Sequence, residues 1–116
     1  MTLNEYQDKA MTTCLDTCEN VSYMLLNLVG EVGEFAGKLA KAIRKNEATI
    51  HNDTLMTLFG DDVLVDDLKS EAGDILWQLS GLCEVMGWTL EDVAQANLDK
   101  LAARKKTDTI ITHTDH

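Results

Sequence analysis

The chain has 116 residues, with 20 Asp and Glu against 10 Lys and Arg, and a formal charge of -10 at pH 7. That length leaves room for one core, and the acidity excludes unaided binding to nucleic acid or to an anionic membrane, so a phosphate-bearing ligand needs a mediating cation. Hydrophobic residues make up 45%, enough to fill a core, while aromatics are only 5%, which makes that core aliphatic.

There is no proline, where roughly six would be average at this length, so nothing interrupts long helices and an all-α fold is expected. Met1 to Asp8 carries neither a basic nor an apolar signal-like region, and no apolar run reaches the ~18 residues that span a bilayer. A cytoplasmic protein without membrane attachment is the expectation.

In chain order, the 3.6-residue periodicity predicts a first helix over 3–15, with Thr2 or Asn4 as its N-cap. Cys14 and Cys18 fall at its end and in the polar stretch 16–20 that follows. With Cys83 they make three cysteines without zinc spacing or a secretory signal; they read as buried free thiols, with a redox role for the Cys14/Cys18 pair as the alternative. A second helix over 21–45 ends in basic residues that suit its dipole. Its apolar stripe is Leu28, Val32, Phe35, Leu39 and Ile43, while Gly30, Gly33 and Gly37 share the opposite side, where each glycine costs about 1 kcal/mol relative to alanine. Close approach by a partner subunit is the expected compensation.

The connection 46–65 is long for a helix-to-helix loop yet apolar at Ile50, Leu55, Met56, Leu58, Phe59, Val63, Leu64 and Val65, so a short packed helix is expected there. Asp61, Asp62, Asp66 and Asp67 read as a solvated run with a helix cap. A third helix over 66–86 stops at Gly87. Thr89 then caps a fourth over 90–106, in a variant capping box with Asp92. Residues 1–106 read as one domain and 107–116 as a polar tail; His51, His113 and His116 have no partner at informative spacing.

The most informative feature is an echo forty positions apart, in which Glu31-Val32-Gly33-Glu34 matches Glu71-Ala72-Gly73-Asp74. Lys38 and Gln78 continue the two segments, each four residues after the second acid. At about 100° per residue each acidic pair forms one stripe beside its helix's apolar face. Antiparallel packing would bring four carboxylates together, where they repel and take up protons unless a cation intervenes. Oxygen ligands suit Mg²⁺ or Mn²⁺, whereas zinc brings His or Cys. Lys38 either meets phosphate or pairs with Glu34; Asn27 and Tyr23, earlier on the same stripe, are placed to line a pocket. Trp77 falls off both stripes and reads as core or subunit contact rather than as a stacking surface.

These segments, with Glu5-Tyr6-Gln7, the run from Gly87 to Val93 and Asn97-Leu98-Asp99-Lys100-Leu101-Ala102-Ala103-Arg104, resemble the MazG-like all-α nucleoside triphosphate pyrophosphohydrolase superfamily. ExxE alone is a weak signal, but ExxE, ExxD and Asn-x-x-Lys-x-x-x-Arg in order on separate helices are specific. One departure is the interval from Glu34 to Glu71, longer than in compact members. The resemblance implies a four-helix MazG-like bundle, here with the short connecting helix, assembled as a homodimer or homotetramer. It also implies a Mg²⁺-dependent enzyme that splits a (deoxy)nucleoside triphosphate between its α- and β-phosphates, giving monophosphate and pyrophosphate, as in house-cleaning of the nucleotide pool. By the same resemblance Glu31, Glu34, Glu71 and Asp74 hold the metal, and Asn97, Lys100 and Arg104 face the substrate's phosphates or sugar.

Glu34 and Glu71 are the two candidates to orient or deprotonate the attacking water, and Lys38 and Asn27 complete the substrate-facing set. A di-iron carboxylate bundle is excluded, because no histidine stands three residues after a glutamate. The rival is a non-catalytic acidic bundle that binds metal or a protein partner, which predicts no pyrophosphate release.

Overall fold

Helix α1 spans Leu3–Met11 and opens with a full capping box: the Thr2 hydroxyl accepts from the Glu5 N–H at 3.1 Å, and Glu5 Oε1 accepts from the Thr2 N–H at 2.9 Å. It ends a turn earlier than the periodicity predicts. The Thr12 and Thr13 hydroxyls bond back to the Lys9 and Ala10 carbonyls, both at 2.6 Å, just where the regular helix stops. A single 3₁₀ turn, Asp16–Glu19, follows. The computed structural model that shows this describes residues 1–57 and 62–107, apart from the side chains of Thr17 and Asp62. Leu58, Phe59 and Asp61, and the tail beyond Thr107 with His113 and His116, lie outside the described residues.

The expectation of three free thiols fails at the start of the chain. Cys14 and Cys18 form a disulfide, with a Cα separation of 5.9 Å, and Cys83 is the free thiol. That separation falls within the range that a disulfide bridges without backbone movement. Burial pushes the Cys83 thiol up from its usual range, with Glu84 adding to the effect.

Asn20 caps helix α2, Val21–Arg44, by accepting from the Tyr23 N–H at 2.9 Å. The helix closes in a Schellman motif: Glu47 N–H donates to the Ala42 carbonyl at 2.8 Å, and Asn46, at φ 62, supplies the left-handed residue. The expected short helix does not follow. Instead the chain forms an antiparallel hairpin, β1 Ala48–His51 and β2 Thr54–Thr57, with His51 opposite Thr54. Asn52 and Asp53 both have positive φ, 50 and 59, the conformation of a two-residue type I′ turn. Buried Ala48 anchors the hairpin base against Ala42, Leu64 and Leu68.

Helix α3, Asp62–Met86, starts one turn before the predicted Asp66 and ends in a second Schellman motif at Gly87, φ 75, where Trp88 N–H donates to the Cys83 carbonyl at 2.8 Å. α2 and α3 run antiparallel and form the spine: Met24 meets Gln78 near one end, Lys38 meets Glu71 midway, and Ala42 packs with Leu68 near the other. A Cβ at Gly81 would meet the terminal methyl of Met24, which would have to shift to make room for it. The buried stripe of α2 is rotated from the predicted one. Met24 and Ala42 are buried and Leu28, Glu31, Phe35 and Leu39 half-buried, whereas Val32 and Ile43 stand exposed. Glu31 therefore sits in the packed face and not beside it.

Helix α4, Leu90–Lys106, is capped from two directions. Its own Thr89 accepts from Asp92 N–H at 3.1 Å, while α1 reaches across so that Leu90 N–H donates to Gln7 Oε1 at 2.7 Å and Glu91 N–H to Asn4 Oδ1 at 3.1 Å. Gln7 is buried, and its amide also donates to the Trp88 carbonyl at 3.0 Å. Replacing Gln7 by Leu strands the buried Leu90 N–H and the part-buried Trp88 carbonyl at once, with an expected loss of about 2 kcal/mol of unfolding free energy. Denaturant titration checks this, and a loss below about 0.5 kcal/mol, the scale of an ordinary surface change, would contradict it.

The shape is open for one chain. The radius of gyration is 17.4 Å, against about 13 Å for a compact domain of this length. The accessible surface is 8485 Å², against roughly 6,300 Å² for a globular monomer of this mass. Among the described residues no helix is long and apolar enough to cross a membrane.

Candidate functional site

Three carboxylates meet at the middle of the spine. Glu31 and Glu34 lie one turn apart on α2, Glu71 comes from α3, and one oxygen of each lies within 4.8 Å of the others. Glu71 is buried, Glu31 half-buried and Glu34 exposed, so the cluster grades from the core to the surface. Glu31 Oε2 and Glu71 Oε2 are shut away from solvent without a hydrogen-bond partner. Buried polar atoms in that condition are rare and demand a reason.

Lys38 supplies the positive charge that is present. Its ammonium lies 3.0 Å from Glu71 Oε1, across the helix pair, and is not joined along α2 to Glu34. The Glu71 hydrogen bond holds the Lys38 pKa above its ordinary 10.5, against the opposing effect of desolvation, so the residue is charged at neutral pH. Glu31 has no such partner. Burial pushes its pKa above the ordinary 4.5, and Glu34, Asp74 and Glu71 add to the rise.

A carboxyl with a raised folded-state pKa makes the native state bind more protons than the unfolded chain, so its contribution to stability falls as pH rises through that window and the penalty is complete above it. Without divalent metal, Glu31→Gln is therefore expected to be more stable than wild type at pH 7, with the advantage shrinking as pH falls towards the ordinary 4.5. Denaturation in chelator at the two ends of this range measures it; an advantage that is absent or grows on acidification would contradict the assignment.

Beside the cluster lies a cleft of about 270 Å³, walled by Tyr23, Asn27 and Glu31 of α2, Trp77 and Gln78 of α3, and the loop residues Thr13, Leu15 and Cys18. Tyr23 and Asn27 stand one to two turns before Glu31 on the same side of α2. The sequence reading misses the part of Trp77. Its indole N–H donates to Thr13 Oγ1 at 2.9 Å and to the Ala10 carbonyl at 3.2 Å, which fixes the ring in the cleft wall and ties α3 to α1. Gln78 is buried and donates to the Met24 carbonyl at 3.3 Å, so its position beyond Asp74 serves the spine. No sequence signal distinguishes these two roles, because that of Trp77 depends on where α1 lies and that of Gln78 on how α2 crosses α3.

The other predicted site residues stand further out. Asp74 is exposed and lies outside the three-oxygen cluster, although its charge acts on Glu31 and, behind the effect of burial, helps to raise the pKa of Tyr6. Asn97, Lys100 and Arg104 are exposed on α4, which packs chiefly against α1. Among the described residues no hydrogen bond or ion pair joins them to the carboxylates.

The cluster passes a simple test as a cation site. A hard divalent cation bonds oxygens at about 2.0–2.6 Å, so two of its ligands lie at most about 5 Å apart. The three oxygens meet that limit, and the two orphaned ones are acceptors of the hard kind that Mg²⁺ or Mn²⁺ prefers.

Comparison with known proteins agrees with this chemistry. The Gene 37 protein of Mycobacterium phage L5 is 36% identical over 90 residues, which cover 78% of this chain and 70% of that protein. No solved structure matches. Residues 19–108, which include all of α2, α3 and α4 and hence every carboxylate of the cluster, match the MazG nucleotide pyrophosphohydrolase domain, and the chain belongs to that family.

Proposed function

We propose that the protein hydrolyses a nucleoside or deoxynucleoside triphosphate between the α- and β-phosphates, releasing monophosphate and pyrophosphate. The observation that carries this reading is the cluster of Glu31, Glu34 and Glu71, with two buried, unpartnered oxygens, opening onto a cleft beside the helix pair. Glu31, Glu34 and Glu71 hold Mg²⁺, or Mn²⁺ in its place, with Asp74 one turn further on as the fourth acid. A cation held there would supply positive charge to offset that of the triphosphate and of the pyrophosphate leaving group.

The protein's own groups do the rest. Tyr23, Asn27 and the Trp77 ring offer an amphipathic wall for the nucleoside, and the tether from Trp77 to Thr13 keeps that wall in place. Glu34, the exposed member, or Glu71 takes the proton from water. Lys100 and Arg104, one turn apart on α4, suit phosphate oxygens from an adjoining chain or after α4 shifts.

The same reading includes a homodimer or homotetramer. Leu25, Leu26, Val29 and Val32 are exposed on α2, and Gly30, Gly33 and Gly37 have nothing within 4 Å of where a Cβ would stand. The surface beyond that of a globular monomer, roughly 2,000 Å² per chain, matches what stable subunit interfaces cover. A second copy is the occupant that a glycine-rich helix face fits, since two such helices approach closely. Removal of noncanonical or surplus nucleotides from the pool is the corresponding role.

The deciding experiment is a panel of ribo-, deoxyribo- and modified nucleoside triphosphates with and without Mg²⁺, scored for monophosphate and pyrophosphate. Orthophosphate as first product would sink α/β cleavage. No product from any nucleotide would favour a non-catalytic metal-binding bundle.

A further inference from the structure

Lys38 occupies an unusual place. It rises from the same helix as Glu31 and Glu34, crosses to α3, and sets its ammonium 3.0 Å from Glu71 Oε1. Glu71 is the most buried of the three carboxylates, yet its other oxygen has no partner, and neither has Glu31 Oε2. One ammonium thus satisfies one oxygen of a cluster that offers several. It is a single positive charge among Glu31, Glu34, Glu71 and the nearby Asp67 and Asp74. The Lys38 side chain is 43% exposed, against 11% for Glu71, so the lysine has an open path to swing away while the glutamate does not. A lysine is a flexible, strongly hydrated point charge on a four-carbon stem, and it cannot share Glu71 with a dication without repelling it.

We propose that Lys38 is a placeholder cation: it holds Glu71 in the metal-free protein, gives it up when a divalent cation enters, and then turns its ammonium to the phosphates of the substrate. This rests on the reading of the cluster as a cation site and of the substrate as a triphosphate. It assigns Lys38 two opposed effects, competition with the metal and attraction of the phosphate chain. A lysine that merely braces the helix pair would have neither.

The test uses the full chain and two probes, Mn²⁺ alone and then inorganic tripolyphosphate added to the Mn²⁺-loaded protein, both followed by calorimetry. Lys38→Met is expected to bind Mn²⁺ about fivefold more tightly than wild type, the scale of a partly exposed ion pair. It should bind tripolyphosphate about tenfold more weakly, as expected for one lost charge-assisted contact. Lys38→Arg, which keeps the charge, should stay within about twofold of wild type for Mn²⁺. Circular dichroism melts confirm that the variants are folded, and Lys38→Gln serves if Lys38→Met is not.

Mn²⁺ affinity in Lys38→Met that is unchanged or weaker overturns the competition, and unchanged tripolyphosphate affinity overturns the hand-over. If neither wild type nor any variant binds Mn²⁺, the cation-site reading falls as well. That outcome is distinct from tight and equal binding by all of them, which removes only the role of Lys38.

Discussion

Glu71→Gln is expected to lower kcat for metal-dependent pyrophosphate release by about a thousandfold or more, while leaving the fold intact. Glutamine keeps the shape of the side chain and removes its charge. The lost charge is the one that α3 contributes to the three-oxygen cluster, so Glu31 and Glu34 on α2 are left with only the more exposed Asp74 from α3. Stability moves little because two effects oppose each other: repulsion with Glu31 is relieved, and the ammonium of Lys38 loses its partner. Lys38 is exposed enough for water to replace that partner, which keeps the second effect small. Steady-state pyrophosphate release together with melts in chelator separates the two quantities. Activity above a tenth of wild type would show that Glu71 is dispensable. Glu34→Gln, at the exposed end of the cluster, tells the two candidate bases apart: whichever variant loses turnover while still binding Mn²⁺ carries the proton.

How much of this is legible in the sequence depends on the range of the interaction. The helices and several of their ends are legible because they rest on neighbours, as at Thr2, Thr89 with Asp92, and Gly87 in the left-handed region, whereas the end of α1 and the start of α3 each lie about a turn from where periodicity puts them. The pairing of α2 with α3 is legible through the acidic echo, since two helices carrying matched acids beside apolar stripes have few ways to meet.

The hairpin is not legible, because Thr49-Ile50-His51 and Thr54-Leu55-Met56 are too short for a period to separate strand from helix. Its one clear signal is local, the Asn52-Asp53 pair that tolerates positive φ. The rotation that brings half-buried Glu31 into the packed face and exposes Val32 is invisible to a helical wheel, which sets the acidic stripe beside the apolar one. Burying an acid makes sense only for a residue with a task, so the mismatch falls where the chemistry is. The roles of Trp77 and Gln7 depend on the crossing of α1 over the spine, a contact between residues 64 to 83 positions apart that no periodicity encodes.

Replacing Leu26 and Val29 together by arginine is expected to convert the proposed homo-oligomer to single chains and to remove most of its activity. Leu26 is 72% exposed and Val29 64%, on the α2 face that carries the uncovered glycines. In a two-fold interface each substitution acts twice, because the same patch serves both partners. Apolar anchors at the centre of such an interface are each worth about 1–4 kcal/mol, so the pair weakens association by roughly a thousandfold or more. Added arginines bring the chain's net charge of -10 closer to zero, so dissociation cannot be assigned to greater overall repulsion. Sedimentation at micromolar concentration reads the mass directly; wild type already running as one chain, or the double variant running as wild type does, would remove the proposed interface. Activity should follow assembly for a local reason. Gly33 lies between Glu31 and Glu34 on a single turn of α2, so the face that meets a partner and the face that holds the carboxylates share one stretch of backbone. A partner that covers the glycines also fixes the angle at which both acids are presented to Glu71.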